Sequence, residues 1–442
     1  MNYEPLRIKS GNLQLLGKPK YRNFIHNTAL APSLKFFLKR HYKQQDFPFL
    51  DTKFNPNTGK DLPTSHYETL YTFCLGRSAE ACHQHLEILD QIKGLEDNEK
   101  EEVRKMLKSI LKNTTDALLE ILEKNSGRCP FCVTREYKPI DLNGKLISLN
   151  DDIFSASDIF CAKGLLVSND PNKHNRGKKH FLEFIEKIFS NKFVWRYGND
   201  GLPKKQIRSL MLPLGAFSYL FNELSNSKEG REYVDLIFDI FQLAFERHYN
   251  IKDGFLTDYI DSEGIAKFHL NPGHAIELVG LGLQAIEATR ESDIKLSEDQ
   301  KSLFETTEEH LSNILLEAFK LGYNHLNHGM FELVDSRTGR VLNKEMPWWN
   351  LPETIRAAVR TLSVVEKQKD KELIREILRI VNNDYFIYYP NPDLYLFPFR
   401  TRNGLTGEVV DKMPTVPEAD PLYHSNLSFI DTLSVLEKID IH

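Results

Sequence analysis

His274 and Glu277 stand three residues apart in "LNPGHAIELVGLGLQAIEATRE" (270–291). If that segment is helical, this spacing puts an imidazole and a carboxylate on one face. The carboxylate could hold the imidazole or take a substrate hydroxyl. The imidazole, with an ordinary pKa near about 6.5, could give or take a proton at neutral pH. A helix cap with a solvated pair in its first turn would use the same residues. A second group lies in "KEMPWWNLPETIRAAVRTL" (344–362), where Trp348 and Trp349 precede Pro352 and Glu353. Paired indoles at a cleft mouth stack on sugar rings through a flat apolar face beside a polar N–H. Plugging the end of a helical bundle is the plainer use. His424 opens the last apolar segment in "EADPLYHSNLSFIDTL" (418–433), and Arg77 lies inside "YETLYTFCLGRSAEA" (67–81). A lone His at a helix start is usually structural, and an Arg among apolar neighbours can simply bridge buried carbonyls.

The elements that must position these groups are helices. Apolar residues recur at helical spacing near 21–42, 65–93, 97–125, 155–168, 177–191 and 206–224. The same period returns near 229–249, 273–291, 297–322, 350–367, 370–384 and 423–438. Between them, "GFLTDYIDSEGI" (254–265), "GMFELVDSRTGRV" (329–341) and "DLYLFPFRTRNGLTG" (393–407) read as hairpins, with a weaker case at 133–147. Links within helix pairs 2–3, 6–7, 8–9 and 10–11 span a few residues, and the 4–5 link is somewhat longer. The links before helices 4, 8, 10 and 12 are long and carry the hairpins. Regular pairing of this kind predicts a repeat architecture, one closed ring of six helical pairs over residues 1–442, with 1–20 as an N-terminal extension. In such a ring every second helix lines the inside. Arg77, His274 with Glu277, Glu353 and His424 all fall on even-numbered helices, so they converge if even means inner. Three of these four sites sit at helix N-termini, where unpaired N–H groups favour an enolate-type anion.

The bulk composition narrows the classes. The chain has 442 residues, 57 Lys+Arg against 62 Asp+Glu, and a formal charge of -5. That balance gives no basic footprint for nucleic acid or for anionic membranes. With 41% hydrophobic and 11% aromatic residues, a large core is expected. No apolar stretch reaches the roughly 18 residues of a membrane span, and the N-terminus lacks a secretion-type apolar region. Five cysteines are sparse and odd in number, which suits free thiols in a reducing cytoplasm. "CPFC" (129–132) has no matching second ligand pair for zinc, so unlinked thiols at a hairpin turn are expected. The "HQH" of residues 83–85 does not have helical ligand spacing and reads as surface. No Walker loop, GxGxxG or GxSxG motif is present.

Taken together, "NPGHAIE", "PWWNLPETIRA", the "LYHS" histidine and the helix-2 arginine resemble the N-acylglucosamine 2-epimerase superfamily. The resemblance runs from about residue 64 to 430, with the motifs in family order. It implies an all-α (α/α)6 barrel of twelve helices with short β-hairpins in the long loops at one end. It implies His274 and His424 as the general acid/base pair, and Arg77, Glu277, Glu353, Trp348 and Trp349 as substrate-binding groups, without metal or cofactor. The implied ligand is a small-molecule sugar, with no nucleic acid or membrane partner, and family habit adds an expectation of a homodimer. The implied chemistry is 2-epimerisation of an open-chain aldose or N-acylhexosamine through an enediolate. Aldose–ketose isomerisation, inverting glycoside hydrolysis and non-catalytic sugar binding stand as alternatives. The cellobiose epimerase and isomerase branches carry an extra His on an earlier inner helix, and "SASDIFCAKGL" (155–165) has none. The "NPGH" wording is closer to the N-acyl sugar branch.

Overall fold

A computed structural model describes residues 19–149, 152–196, 205–221, 228–252, 254–260, 266–391, 400–411 and 419–439. Twelve helices follow one another among these residues. The first six are α1 (Pro19–Ile25, a π-turn His26–Leu30, then Ala31–Lys43), α2 (Thr72–Ile88), α3 (Asp97–Lys124), α4 (Ala156–Leu166), α5 (Pro171–Phe189) and α6 (Ile207–Leu214, resumed at Phe217–Phe221). The second six are α7 (Lys228–His248), α8 (Pro272–Glu291), α9 (Glu298–Gly322), α10 (Asn350–Val364), α11 (Gln368–Tyr388) and α12 (a π-turn Tyr423–Leu427, then Ser428–Lys438).

Their patterning sorts them into two layers. The odd helices carry one apolar stripe: α3 buries Val103, Met106, Leu107, Ile110 and Leu111, the spacing of a single helical face. The even helices are buried nearly all round, and every residue of α4 is buried. A helix with no solvated face belongs inside. Each even helix packs on the next, and the π-turn of α12 packs on α2, which closes the inner ring. The chain is therefore an (α/α)6 barrel. α2 and α4 meet through glycine: a Cβ on Gly76 would lie 2.2 Å from the Phe160 carbonyl oxygen.

The long loops form a second ring over one end, because each pairs with its neighbour. Thr69–Tyr71 pairs with Cys132–Thr134, Phe154–Ser155 with Phe193–Val194, and Lys205–Gln206 with Tyr259–Ile260. His269–Leu270 pairs with Leu333–Asp335, and Glu345–Met346 with Thr401–Asn403. The last loop returns to the first, as Ala419 N donates to Thr52 O at 2.9 Å and Asn55 Nδ2 to Asp411 Oδ1 at 2.9 Å. These ladders satisfy backbone groups that would otherwise be orphaned under the loops.

Several local expectations shift. α5 starts at Pro171, after the Asp170 cap, so the α4–α5 link is as short as the other pair links. α2 is shorter than the 65–93 window, flanked by 3₁₀ turns at Thr64–Glu68 and Leu89–Gln91. The hairpins at 133–147 and 329–341 are present, as Cys132–Thr134 with Pro139–Ile140 and Leu333–Asp335 with Val341–Asn343. In the 254–265 hairpin, Tyr259–Ile260 pairs with Ala266–Lys267, and its turn, 261–265, lies outside the described residues. Residues 393–399 of the third lie outside them too, and the hairpin there is Thr401–Asn403 with Val409–Val410. The N-terminal extension lies outside them up to residue 18. Cys129 and Cys132 are buried thiols, before and at the start of a strand rather than at the turn. His85 is not on the surface: it is fully buried, with Nδ1 2.7 Å from the Ala81 carbonyl and Nε2 3.0 Å from Asn426 Nδ2. Among the described residues no helix is long and apolar enough to cross a membrane.

Candidate active site

The start of α8 is fixed by its own sequence. Asn271 caps the helix, its Oδ1 accepting from His274 N at 3.0 Å, and Pro272 takes the first helical position. Gly273 lets this end meet the start of α10: an added Cβ would lie 2.0 Å from Asn350 Oδ1 and 2.7 Å from the Trp349 ring. A Gly273→Ala variant is therefore expected to lose about 1–3 kcal/mol, the usual cost of overpacking, together with activity. Denaturant unfolding and initial rates check both. His274 Nδ1 lies 3.1 Å from Asp258 Oδ2, and Asp258 Oδ1 accepts from Asn271 N at 3.2 Å. One loop carboxylate thus locks both the cap and the imidazole.

His424 enters from the other side of α10. Leu422, with φ 65, turns the chain into the π-turn in a left-handed conformation that non-glycine residues rarely adopt. Asp420 Oδ2 accepts from Tyr423 N at 2.7 Å and helps fix that turn. The His424 ring then reaches Glu353, with Nδ1 2.9 Å from Oε1. Glu353 is 1% exposed and ion-pairs through Oε2 with Arg356, one turn along α10. Both imidazoles lie against one indole. The Trp349 ring is 5.5 Å from His274 at 30° between planes, and 5.2 Å from His424 at 34°. Trp348 meets His424 edge-on at 6.0 Å.

Arg77 sits in an aromatic cage, 4.4 Å from the Phe160 ring centroid, 4.9 Å from Tyr423 and 5.1 Å from Phe73. Glu277 is buried beside Glu353 and His424; one ligand-type atom from each falls within 4.8 Å of the others. Among the described residues, Arg77 Nε and Glu277 Oε1 have no hydrogen-bond partner, which is unusual for buried polar atoms. A divalent cation held by this trio would have to share Glu353 with Arg356.

The electrostatics follow from burial. The His424 pKa is held well below the ordinary value, first by desolvation, then by the positive charge of Arg77, Arg356 and His274, with Glu277 opposing. The imidazole is therefore neutral at pH 7. Glu353 is raised by burial against the pull of Arg356. Asp420 is pushed up to about 7 by burial, against Arg77 and the N–H groups it accepts from.

The fold brings together every residue singled out from the sequence: Arg77, His274, Glu277, Trp348, Trp349, Glu353 and His424. One pairing differs. The carboxylate that holds His274 is Asp258 rather than Glu277, whose side chain belongs with Glu353 and His424. Asp258, Asp420 and Arg356 went unremarked. Arg356 alone left a trace, as the i, i+3 partner of Glu353 in "PETIRA".

The barrel recurs in solved structures. A cellobiose 2-epimerase from Bacillus thermoamylovorans B4167 matches with TM-score 0.67 at 13% identity, over 94% of this chain and 98% of that one. A sugar epimerase from a ruminal bacterium matches at 0.60 and 13% identity, over 95% and 99%. A D-mannose isomerase matches at 0.60 and 12% identity, over 92% and 98%. No family model and no curated protein sequence matches the chain. At these identities the likeness is one of fold.

Proposed function

We propose that this chain is a sugar 2-epimerase of the N-acylglucosamine 2-epimerase superfamily, acting on an open-chain aldose or N-acylhexosamine. The observation that carries this reading is the matched pair of histidines. Each imidazole turns Nδ1 to a carboxylate, Asp258 or Glu353, and both lie against Trp349. An Nδ1–H donated to a carboxylate leaves the Nε2 lone pair free, so both rings are set as bases at the same atom.

In the proposed reaction one Nε2 removes the C2 proton of the open-chain sugar. The C–H electron pair becomes the C1–C2 π bond, and the negative charge moves to the carbonyl oxygen. Arg77, fixed in charge and with Nε unpartnered, holds that oxygen. The other imidazole, as its conjugate acid, returns a proton to the opposite face of C2. Glu277 Oε1 accepts a sugar hydroxyl. Isomerisation to a ketose passes through the same enediolate, but protonates C1 and moves the O2 proton to O1. Inverting hydrolysis is disfavoured, because an acid/base pair of that kind stands roughly 6.5–9.5 Å apart, whereas Glu277 and Glu353 bring oxygens within 4.8 Å of one another.

Incubating glucose, mannose and their N-acylamino counterparts in heavy water tests the reading. Deuterium at C2 of the epimer supports it, and deuterium at C1 of a ketose turns it to isomerisation. No exchange with any of them removes it. Asp258→Asn should keep the fold and lower kcat by at least roughly 10–100-fold, the scale for removing a carboxylate that orients a metal-bound histidine. Initial rates read against an unchanged unfolding curve check this.

A further inference from the structure

The barrel has a cavity away from the loops, between the C-terminal half of α2, the middle of α8 and α12. It measures about 280 Å³. The half-exposed ion pair of Arg22 and Glu437, 2.5 Å apart, stands in its wall. Deeper in, it is walled by Tyr219, Glu80, Tyr423 and Arg356. Arg356 is 7% exposed, and among the described residues its Nε has no hydrogen-bond partner. This is a formed polar chamber rather than a packing gap.

Its chemistry selects a ligand class. Each strongly charged group in the wall already has its counter-charge: Arg22 with Glu437, Glu80 with Lys163, Arg356 with Glu353, and Asp431 with Arg360. The wall thus offers an ion no unmatched charge to repay its desolvation. What remains is amide, hydroxyl and imidazole, from Gln84, Gln91, Gln284, Ser434 and His26, since the Tyr219 hydroxyl is already taken by Glu80 and Gln84, beside aliphatic side chains such as Leu281 and Ile430. Amides and hydroxyls suit a ligand's O–H groups, and the aliphatic patches suit its C–H faces. The space is on the scale of one monosaccharide or polyol rather than an oligosaccharide.

We infer that this cavity is a second binding site, for a neutral monosaccharide or polyol, opposite the loop end of the barrel. Arg356 and Glu353 connect it to His424, so occupancy there can bear on the imidazole from behind.

The test is equilibrium dialysis with radiolabelled D-mannitol, which has no carbonyl, and D-glucose, on wild type, Ser434→Trp, Arg77→Ala and the double variant. Ser434 is exposed, so Trp there should fill the cavity mouth without unfolding the helix. The expected result is mannitol binding that Ser434→Trp removes and Arg77→Ala retains, and no glucose binding in the double variant. Gln284→Leu, which keeps the space and removes one amide, should weaken mannitol about tenfold, the scale of one hydrogen bond. Binding unchanged in both Ser434→Trp and Gln284→Leu, binding abolished by Arg77→Ala alone, or no binding to wild type overturns the inference. Loss in Ser434→Trp with retention in Arg77→Ala upholds it even if the epimerase reading fails.

Discussion

His424→Asn is expected to lower kcat for sugar interconversion by roughly 10²–10⁴, the contribution of one positioned acid/base group, with the fold intact. Asparagine can keep the hydrogen bond to Glu353 but cannot carry a proton. The same loss is expected for His274→Asn. Steady-state rates on the substrate found by isotope exchange check both, with circular dichroism as the folding control. The neutral state of His424 also has a stability consequence. Its folded pKa lies below the unfolded value near about 6.5, so below that pH the unfolded chain binds more protons. The stability tied to this group is present above about 6.5 and is lost as pH falls toward the depressed folded pKa. His424→Asn should remove that part of the acid sensitivity, which unfolding midpoints at two pH values would reveal.

Lys163→Met should strongly destabilise the barrel. Lys163 is 1% exposed, in the middle of α4, with Nζ 2.9 Å from Glu80 Oε2 on α2 and donating to Tyr423 Oη at 2.9 Å. Tyr219 on α6 donates to Glu80 Oε1 at 2.9 Å. This network ties four inner elements at the barrel axis. Burial opposes the charge on Lys163, yet Glu80 and Tyr423 hold its pKa above the ordinary lysine value. Methionine fills most of the space and leaves the Glu80 carboxylate buried without its counter-charge, which costs about 3–5 kcal/mol. Adding Glu80→Gln should recover much of the loss, because a neutral pair of similar volume carries no ionic desolvation cost. Denaturant unfolding of the two single variants and the double variant measures the coupling directly.

The pairing of helices was legible from the alternation of short and long links, and burial then shows which of each pair is inner. Every residue of α4 is buried, while α3 buries its apolar residues only at every three or four positions. The helix starts carrying His274 and Glu353 were legible from Pro272 and Pro352, whose rings fix the backbone there. The start of α5 was missed because "PNKHNRG" is polar, although Asp170–Pro171 marks a helix start. Other features depend on partners distant in sequence. His85 is buried by Asn426, 341 positions away, and no local window can show that. Asp258 looked like one more residue of a hairpin. Its link to His274 exists because the loop strands Lys205–Gln206 and Tyr259–Ile260 pair beside the start of α8. Long-range pairing between loops leaves almost no trace in spacing, so the second carboxylate of the site was not legible.

Washout of deuterium from C2-labelled epimers in each single histidine variant tests the two-base site most directly. With one imidazole on either side of C2, His274→Asn should exchange the label of one epimer only, and His424→Asn that of the other only. Equal loss of exchange from both epimers in each variant, or exchange of both in either, would contradict a site built on two opposed imidazoles.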